Sequence, residues 1–394
     1  MKFNKLLIYR NFEDGNILEN IEDKPYECIN KIIELANNYG FEGNLWHTFL
    51  TFLLVTNQNG YSLACELTGD VDGSINQLVY NDFKLIKKWF EYDLAMGKAL
   101  KEYKVVQNFP KLINSNMCNT LNALAVDLAK APTVNEFKNI ITNYYKQYGV
   151  GQFGLYKAFR FNGKKIVPVT NTADVKLDDL IGYEIQKAQL IRNTEAFLEG
   201  HAANNCLLFG EAGTGKSTSI KAILNQYCNR GLRIIEVYKH QFVNIHEVLN
   251  QIKNRQYKFI IYMDDLSFED FETEYKYLKS VIEGGLEYYN VLIYATSNRR
   301  NLIREEFNDR TDVHVTDTLQ EKVSLVSRFG ELIYFGKPNL GEFNEMVRTL
   351  AIKNNLDIAD DELIKLANAW EISHKGRTGR AAQQFINNVM TFKR

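Results

Sequence analysis

Between residues 25 and 147 the apolar positions recur every three to four places. Ile29, Ile32, Ile33 and Ala36 fall at i, i+3, i+4 and i+7, as do Phe137, Ile140, Ile141 and Tyr144. This spacing puts one apolar stripe on each of several amphipathic helices. Trp46, Phe49, Leu50, Leu53 and Leu54 form another such face. Stripes of this kind are read as core before any ligand groove is invoked. The period then changes to two. "LYKAFRFNGKKIVPVT" carries two β-type runs around Asn162-Gly163, a dipeptide that supplies the left-handed backbone of a tight hairpin. Polar residues 171 to 179 read as a link to a second domain.

From there strands and helices alternate. Helices are expected over 184–198, 217–228, 245–254 and 275–283. Strands are expected over 205–209, 232–238, 259–263, 291–295 and 331–335. Alternation predicts an α/β fold, a parallel sheet of five strands covered on both faces, with ligand sites at the strands' C-terminal ends. The tail is helical. Phe343, Met346, Val347 and Leu350 give one stripe, Leu363, Leu366, Ala367 and Trp370 a second, and Phe385, Ile386, Val389 and Met390 a third. The expected division is a mainly helical domain over 1–172 ending in the hairpin, an α/β core over 173–336 and a helical lid over 337–394.

Composition narrows the class. The 394 residues are 45% hydrophobic and 24% charged with a net charge of -1, and the pI is about 6.6. No global basic field draws the chain to nucleic acid or an anionic membrane. The five cysteines are scattered without a CxxC pair, and the six histidines lack metal-ligand spacing, so reduced thiols and no side-chain-only metal site are expected. The apolar run that opens "MKFNKLLIYRNFEDG" is too short for a signal peptide. Residues 45–55, the most apolar segment, are about half the length that spans a bilayer. A cytoplasmic protein without membrane contact is the expectation.

The chemistry begins at "CLLFGEAGTGKSTSIKAIL". Gly210, Glu211, Ala212, Gly213, Thr214, Gly215, Lys216 and Ser217 satisfy GxxxxGK[ST] between an apolar strand and an amphipathic helix, with Thr218 following in the cradle. Glycines let backbone N–H groups turn onto phosphates, and the helix N-terminus adds its positive end. Lys216 would reach the β- and γ-phosphates and the Ser217 hydroxyl would bind Mg²⁺. In "FIIYMDDLSF" an apolar strand ends in two acids. Asp264 would hold the Mg²⁺, and Asp265 would orient or deprotonate the attacking water, with Glu269 next in line. An acid pair ending a strand one helix–strand–helix unit after the glycine loop fits an ATPase better than a GTPase switch or a small-molecule kinase.

Three weaker signals follow. "NVLIYATSNRRNL" reads as a strand lying between those of the loop and the acids, with Asn298 at its end to fix the water and Ser297 as the fallback; alone, a polar strand end is more often a turn. "SRFGELIYF" places Arg328 just before the last strand, at the sheet edge, where a lone arginine is ordinarily a surface ion pair. "SHKGRTGRAAQQF" puts Arg380 at the start of the last helix, a position the helix dipole disfavours and from which it could fold over phosphates.

In this order the motifs resemble those of the AAA+ ATPases, from "DDLIGYE" near residue 178 to the C-terminus. The resemblance implies that Ile181 and Gly182 line an adenine pocket, that Asn298 is sensor 1, Arg328 an arginine finger and Arg380 sensor 2. "LDDLIGYE", "GTGKS", "DDLSFE", "LKSVIEGGLE", "YATSNRR" and the hairpin "KAFRFNG" are more closely similar to domain of unknown function 815, a bacterial family of predicted AAA+ ATPases, over residues 155 to 390. ATP and Mg²⁺ binding and ATP hydrolysis are the implied activity. One departure is visible: the acid pair is Asp264-Asp265 where AAA+ proteins usually carry Asp-Glu, and the shorter acid points to slow or partner-controlled turnover.

An arginine finger completes a neighbour's site, so Arg328 implies a homo-oligomer. The leading expectation is an oligomeric ATPase that remodels or regulates a partner protein chosen by residues 1–172. "YKHQFVNIHE" offers Phe242 as a substrate-gripping aromatic, though such a residue at a helix start is more often packing. The alternatives are a nucleic-acid-linked loader and an ATP-binding switch with little hydrolysis. For the former, Lys84, Lys87, Lys88, Lys101 and Lys104 give a modest cluster, more simply a solvated helix face.

Overall fold

The computed structural model describes residues 5–70, 73–92, 108–110, 120–269, 272–283, 288–300, 302, 325–374 and 376–392. Two compact units result. The first is Met1–Lys157 with Pro168–Thr172 and Asn254–Tyr257, and the second is the remainder.

The first unit contains eight described helices: α1 (Gly15–Asn20), α2 (Pro25–Tyr39), α3 (Leu45–Thr56), α4 (Gly60–Thr68), α5 (Ile75–Phe90), α6 (Thr120–Lys130), α7 (Val134–Tyr148) and α8 (Gln152–Leu155). The helix α3 starts where the Asn44 side chain accepts hydrogen bonds from the Trp46 and His47 N–H groups, and it is buried along nearly its whole length. A helix apolar all round belongs at the centre of a core. Trp46, Phe49, Phe83, Phe137 and Tyr145 are all fully enclosed there. Two carboxylates organise this core. Buried Asp82 accepts from the N–H groups of Leu7, Ile8 and Tyr9 at 3.0, 2.7 and 3.0 Å. Buried Glu66 takes both arms of the Arg255 guanidinium at 2.7 Å each, and Arg255 also donates to the Val150 carbonyl.

The second unit is built on a sheet of seven strands: β1 (Ala158–Phe161), β2 (Ile166–Pro168), β3 (Cys206–Gly210), β4 (Leu232–Glu236), β5 (Lys258–Met263), β6 (Val291–Ser297) and β7 (Glu331–Phe335). Their order is β2-β1-β4-β5-β6-β3-β7. Every pairing from β1 to β7 is parallel. The expectation of five strands is corrected to seven. The hairpin at Asn162-Gly163 continues the sheet, with Ala158 opposite Ile234 and Arg160 opposite Glu236. Its turn is a local signal, whereas its partner strand lies some seventy residues away.

Around the sheet lie α9 (Glu184–Leu198), α10 (Lys216–Tyr227), α11 (Ile245–Ile252) and α12 (Glu274–Glu283). The interior strands are near-continuous apolar runs, as a sheet covered on both faces requires. By contrast β7, at the edge, alternates buried Ile333 and Phe335 with exposed Leu332 and Tyr334. The C-terminal helices α13 (Leu340–Lys353), α14 (Asp360–His374) and α15 (Gly379–Phe392) close on Phe343, Met346, Val347, Leu363, Ala367, Phe385 and Ile386. A capping box between Asn339 and Glu342 starts α13.

Candidate functional site

The turn from β3 into α10 has no room for a side chain at Gly210 or Gly215. A Cβ on Gly210 would stand 2.1 Å from the Phe335 carbonyl oxygen, and one on Gly215 would stand 2.2 Å from Leu180 Cδ1. Both residues have positive φ, 133° and 98°, which glycine adopts without strain. No side chain caps α10, so its first N–H groups remain for a ligand.

A cavity of about 560 Å³ opens over this turn. One wall carries Leu180, Ile181, Tyr183, Met346 and Leu350, the last two from α13. The other carries residues 212–218, Asp264, Asp265, Thr296 and Asn298, with Arg380 and Gln383 contributed by α15. The Arg380 N–H donates to the Gly213 carbonyl at 3.2 Å, which ties the start of α15 to the loop.

The polar wall is one connected network. Lys216, buried, donates through Nζ to the carbonyls of Gly210 (2.9 Å) and Glu211 (2.7 Å) and to Asn298 Oδ1 (3.1 Å). The Asn298 Nδ2 donates to Asp265 Oδ1 at 2.7 Å. The hydroxyls of Ser217 and Thr296 both donate to Asp264 Oδ1, at 2.7 and 2.6 Å. Burial lowers the Lys216 ammonium below its ordinary range, against the pull of Asp265, Glu211 and Asp264. For Asp264, desolvation pushes the other way, but the hydrogen bonds from Thr296 and Ser217 outweigh it and hold the carboxyl below its usual value.

Of the residues singled out from sequence, Ile181, 212–218, Asp264, Asp265, Asn298 and Arg380 meet at this cavity. Gly210 and Glu211 lie behind it, their carbonyls holding Lys216. Gly182 is not part of the wall; its α-carbon faces Met346, whose Cε would be 3.3 Å from a Cβ there. Arg328 is exposed just ahead of β7 and does not line the cavity. Ser297 is buried. Phe242 is fully buried, with its ring centroid 6.2 Å from that of Phe268, so it packs rather than grips. Lys87 pairs with Glu91 at 3.0 Å; Lys101 and Lys104 lie outside the described residues. Thr296 was not anticipated. The signal was the period of two: Thr296 and Ser297 at the end of β6 take opposite faces, and Asn298, just past the strand, meets the cavity with Thr296.

Two serine- and aspartate-borne oxygens 2.7 Å apart beside a phosphate-type loop suit Mg²⁺, which keeps most of its coordination for water and phosphate oxygen. Among the described residues no group of three or more His, Cys, Asp or Glu side chains could cage a metal unaided, and none of their helices is long and apolar enough to cross a membrane.

The profile of the family described as "Protein of unknown function (DUF815)" matches residues 154–392. Among solved structures, the Thermotoga maritima RuvB Holliday junction branch migration motor is similar, at 15% identity and a TM-score of 0.34. The match covers 54% of this chain and 71% of that one. A proline-to-glycine mutant of the same protein matches at 16% identity and 0.35, covering 54% and 72%. Likeness at this level says nothing of activity or substrate. No curated protein sequence matches significantly.

Proposed function

The chain belongs to the DUF815 family, a description that carries no activity, and from its own pocket we propose that it is a Mg²⁺-dependent ATPase of the AAA+ type. The observation that carries this is the joining of Lys216, Asn298 and Asp265 with Ser217 and Asp264, through the Thr296 hydroxyl, in one hydrogen-bonded wall over an uncapped helix N-terminus. Such a wall has a place for each part of a phosphoryl transfer to water.

The roles follow from position. Residues 210–218 cradle the phosphates with backbone N–H groups, and Lys216 exchanges its carbonyl and Asn298 partners for β- and γ-phosphate oxygens. The Ser217 hydroxyl and Asp264 hold Mg²⁺, which when bound neutralises charge on those oxygens. Asp265 orients the attacking water and accepts its proton, with Asn298 fixing both. Ile181, Met346 and Leu350 offer apolar surface to the base, and Gly182 gives the chain its close approach to Met346. Arg380, carried by the lid over 337–394, reaches the phosphates from α15. Arg328 lies off its own cavity and serves the site of a neighbouring subunit, which makes the working form a homo-oligomer. Residues 1–172 select a protein target for the core over 173–336.

A second reading, an ATP-binding switch with little hydrolysis, has one observation in its favour: the Asp265 carboxylate is already engaged by Asn298. Calorimetric titration with ATP and Mg²⁺ tests binding, and phosphate release under single turnover separates the two readings. Absence of binding ends both.

A further inference from the structure

We propose that Thr296 is the positioning residue for both acids of this site, and that position 265 is an aspartate because Thr296 holds its backbone left-handed. The inference rests on the ATPase reading above and deepens it.

Neighbouring residues on a strand point to opposite faces. Asp264 and Asp265 are neighbours directly after β5, yet both line the cavity. The chain achieves this by leaving the strand at once: Asp265 has φ 50°, one of three non-glycine residues with positive φ among those described. The short polar side chains of Asp and Asn are several-fold enriched in that region. Glutamate has no such advantage. The turned backbone therefore favours the shorter acid and delivers its carboxylate to Asn298 Nδ2 at 2.7 Å.

Thr296 holds the turn through three consecutive residues. Its Oγ1 donates to Asp264 Oδ1 at 2.6 Å and accepts from the Asp265 N–H at 2.9 Å. Its carbonyl accepts from the Leu266 N–H at 2.6 Å. The register explains why this residue does it: Met263 faces Ala295, so Thr296 is the next position as the chain turns away. Asn298, two residues on, meets the acid that Thr296 has turned.

Thr296→Val keeps the shape and removes the hydroxyl, and Thr296→Ser keeps the hydroxyl. In the valine variant kcat falls, up to about 10²-fold for a misplacement near 1 Å, by more than KM for Mg²⁺-ATP rises, since Ser217 still holds Asp264; serine restores most of kcat. In nucleotide-free protein, exchange of the 265 and 266 amides quickens with valine and not with serine. Asp265→Glu lowers kcat despite its longer reach, and it carries the test should the valine variant fail to fold. Unchanged kcat or unchanged amide exchange with valine, equal losses with valine and serine, or an Asp265→Glu protein as fast as the parent would each overturn the proposal. If the parent protein binds no ATP, the ATPase reading fails instead, and amide exchange alone still decides whether Thr296 holds the turn.

Discussion

Replacing Lys216 by alanine removes the one full positive charge buried in the phosphate loop. An ammonium about 4 Å from an anionic phosphate, at the effective dielectric of a partly wet site, gains about 4 kcal/mol. At about 1.4 kcal/mol per decade, its loss weakens ATP roughly 10³-fold. The nucleotide-free protein should not suffer in parallel. Burial already lowers the Lys216 pKa, so the folded state disfavours this charge and its removal relieves a cost. The carbonyls of Gly210 and Glu211, left by Nζ, should be met by water entering the space that the shortened side chain opens. Calorimetry with Mg²⁺ and ATP should therefore show a steep loss of affinity, while thermal unfolding without nucleotide stays near that of the parent. Near-parental affinity in a folded Lys216→Ala protein would refute the assignment of the loop as the phosphate site.

The same lysine sets a pH dependence. Its pKa is depressed in the nucleotide-free state, and bound phosphates favour the charged form, so affinity should fall as pH rises through the depressed value. Proton uptake on binding, measured across buffers of different ionisation enthalpy, should grow over that range, and none at any alkaline pH would refute this. Asp265→Asn keeps the size and the left-handed preference but removes the base, so ATP should bind and stay uncleaved in a phosphate-release assay; parental turnover would move the role to Glu269. Arg328→Ala should bind ATP nearly normally and lose about 10³-fold or more in kcat. Mixing it with Asp265→Asn should restore part of the activity in shared oligomers. A dead mixture with proven subunit exchange, or activity per subunit independent of concentration, removes the oligomeric reading.

The proposed phosphate loop is legible because its signal is local: glycines, lysine and helix start lie within Gly210–Thr218, and a side chain has no room at Gly210 or Gly215. The strand of Asn298 was placed by a longer argument, and the order β5-β6-β3 sets it between the loop and the acids. What escaped depended on distant partners. The hairpin announces its turn but not that Ala158 will pair with Ile234. The "DD" of the acid strand does not announce that one aspartate turns left-handed, because the residue that turns it sits 31 positions further on. Asp82 looks like one more polar residue of an amphipathic helix until the N-terminal segment returns three N–H groups to it.

The ion pair of Glu66 with Arg255 bears on how this chain can be cut or recombined. Arg255 lies between α11 and β5 in sequence but folds with the first unit. It also falls inside the stretch matched by the family profile, whereas Glu66 lies outside it. A fragment starting at residue 173 would thus keep the Arg255 guanidinium and lose Glu66, Val150 and Phe153, the partners that enclose it. Grafting a foreign leading segment onto that fragment meets the same difficulty unless four residues, 254–257, travel with their old neighbours. A crossover in the linker would likewise separate the stretch that carries Glu66 from the stretch that carries Arg255.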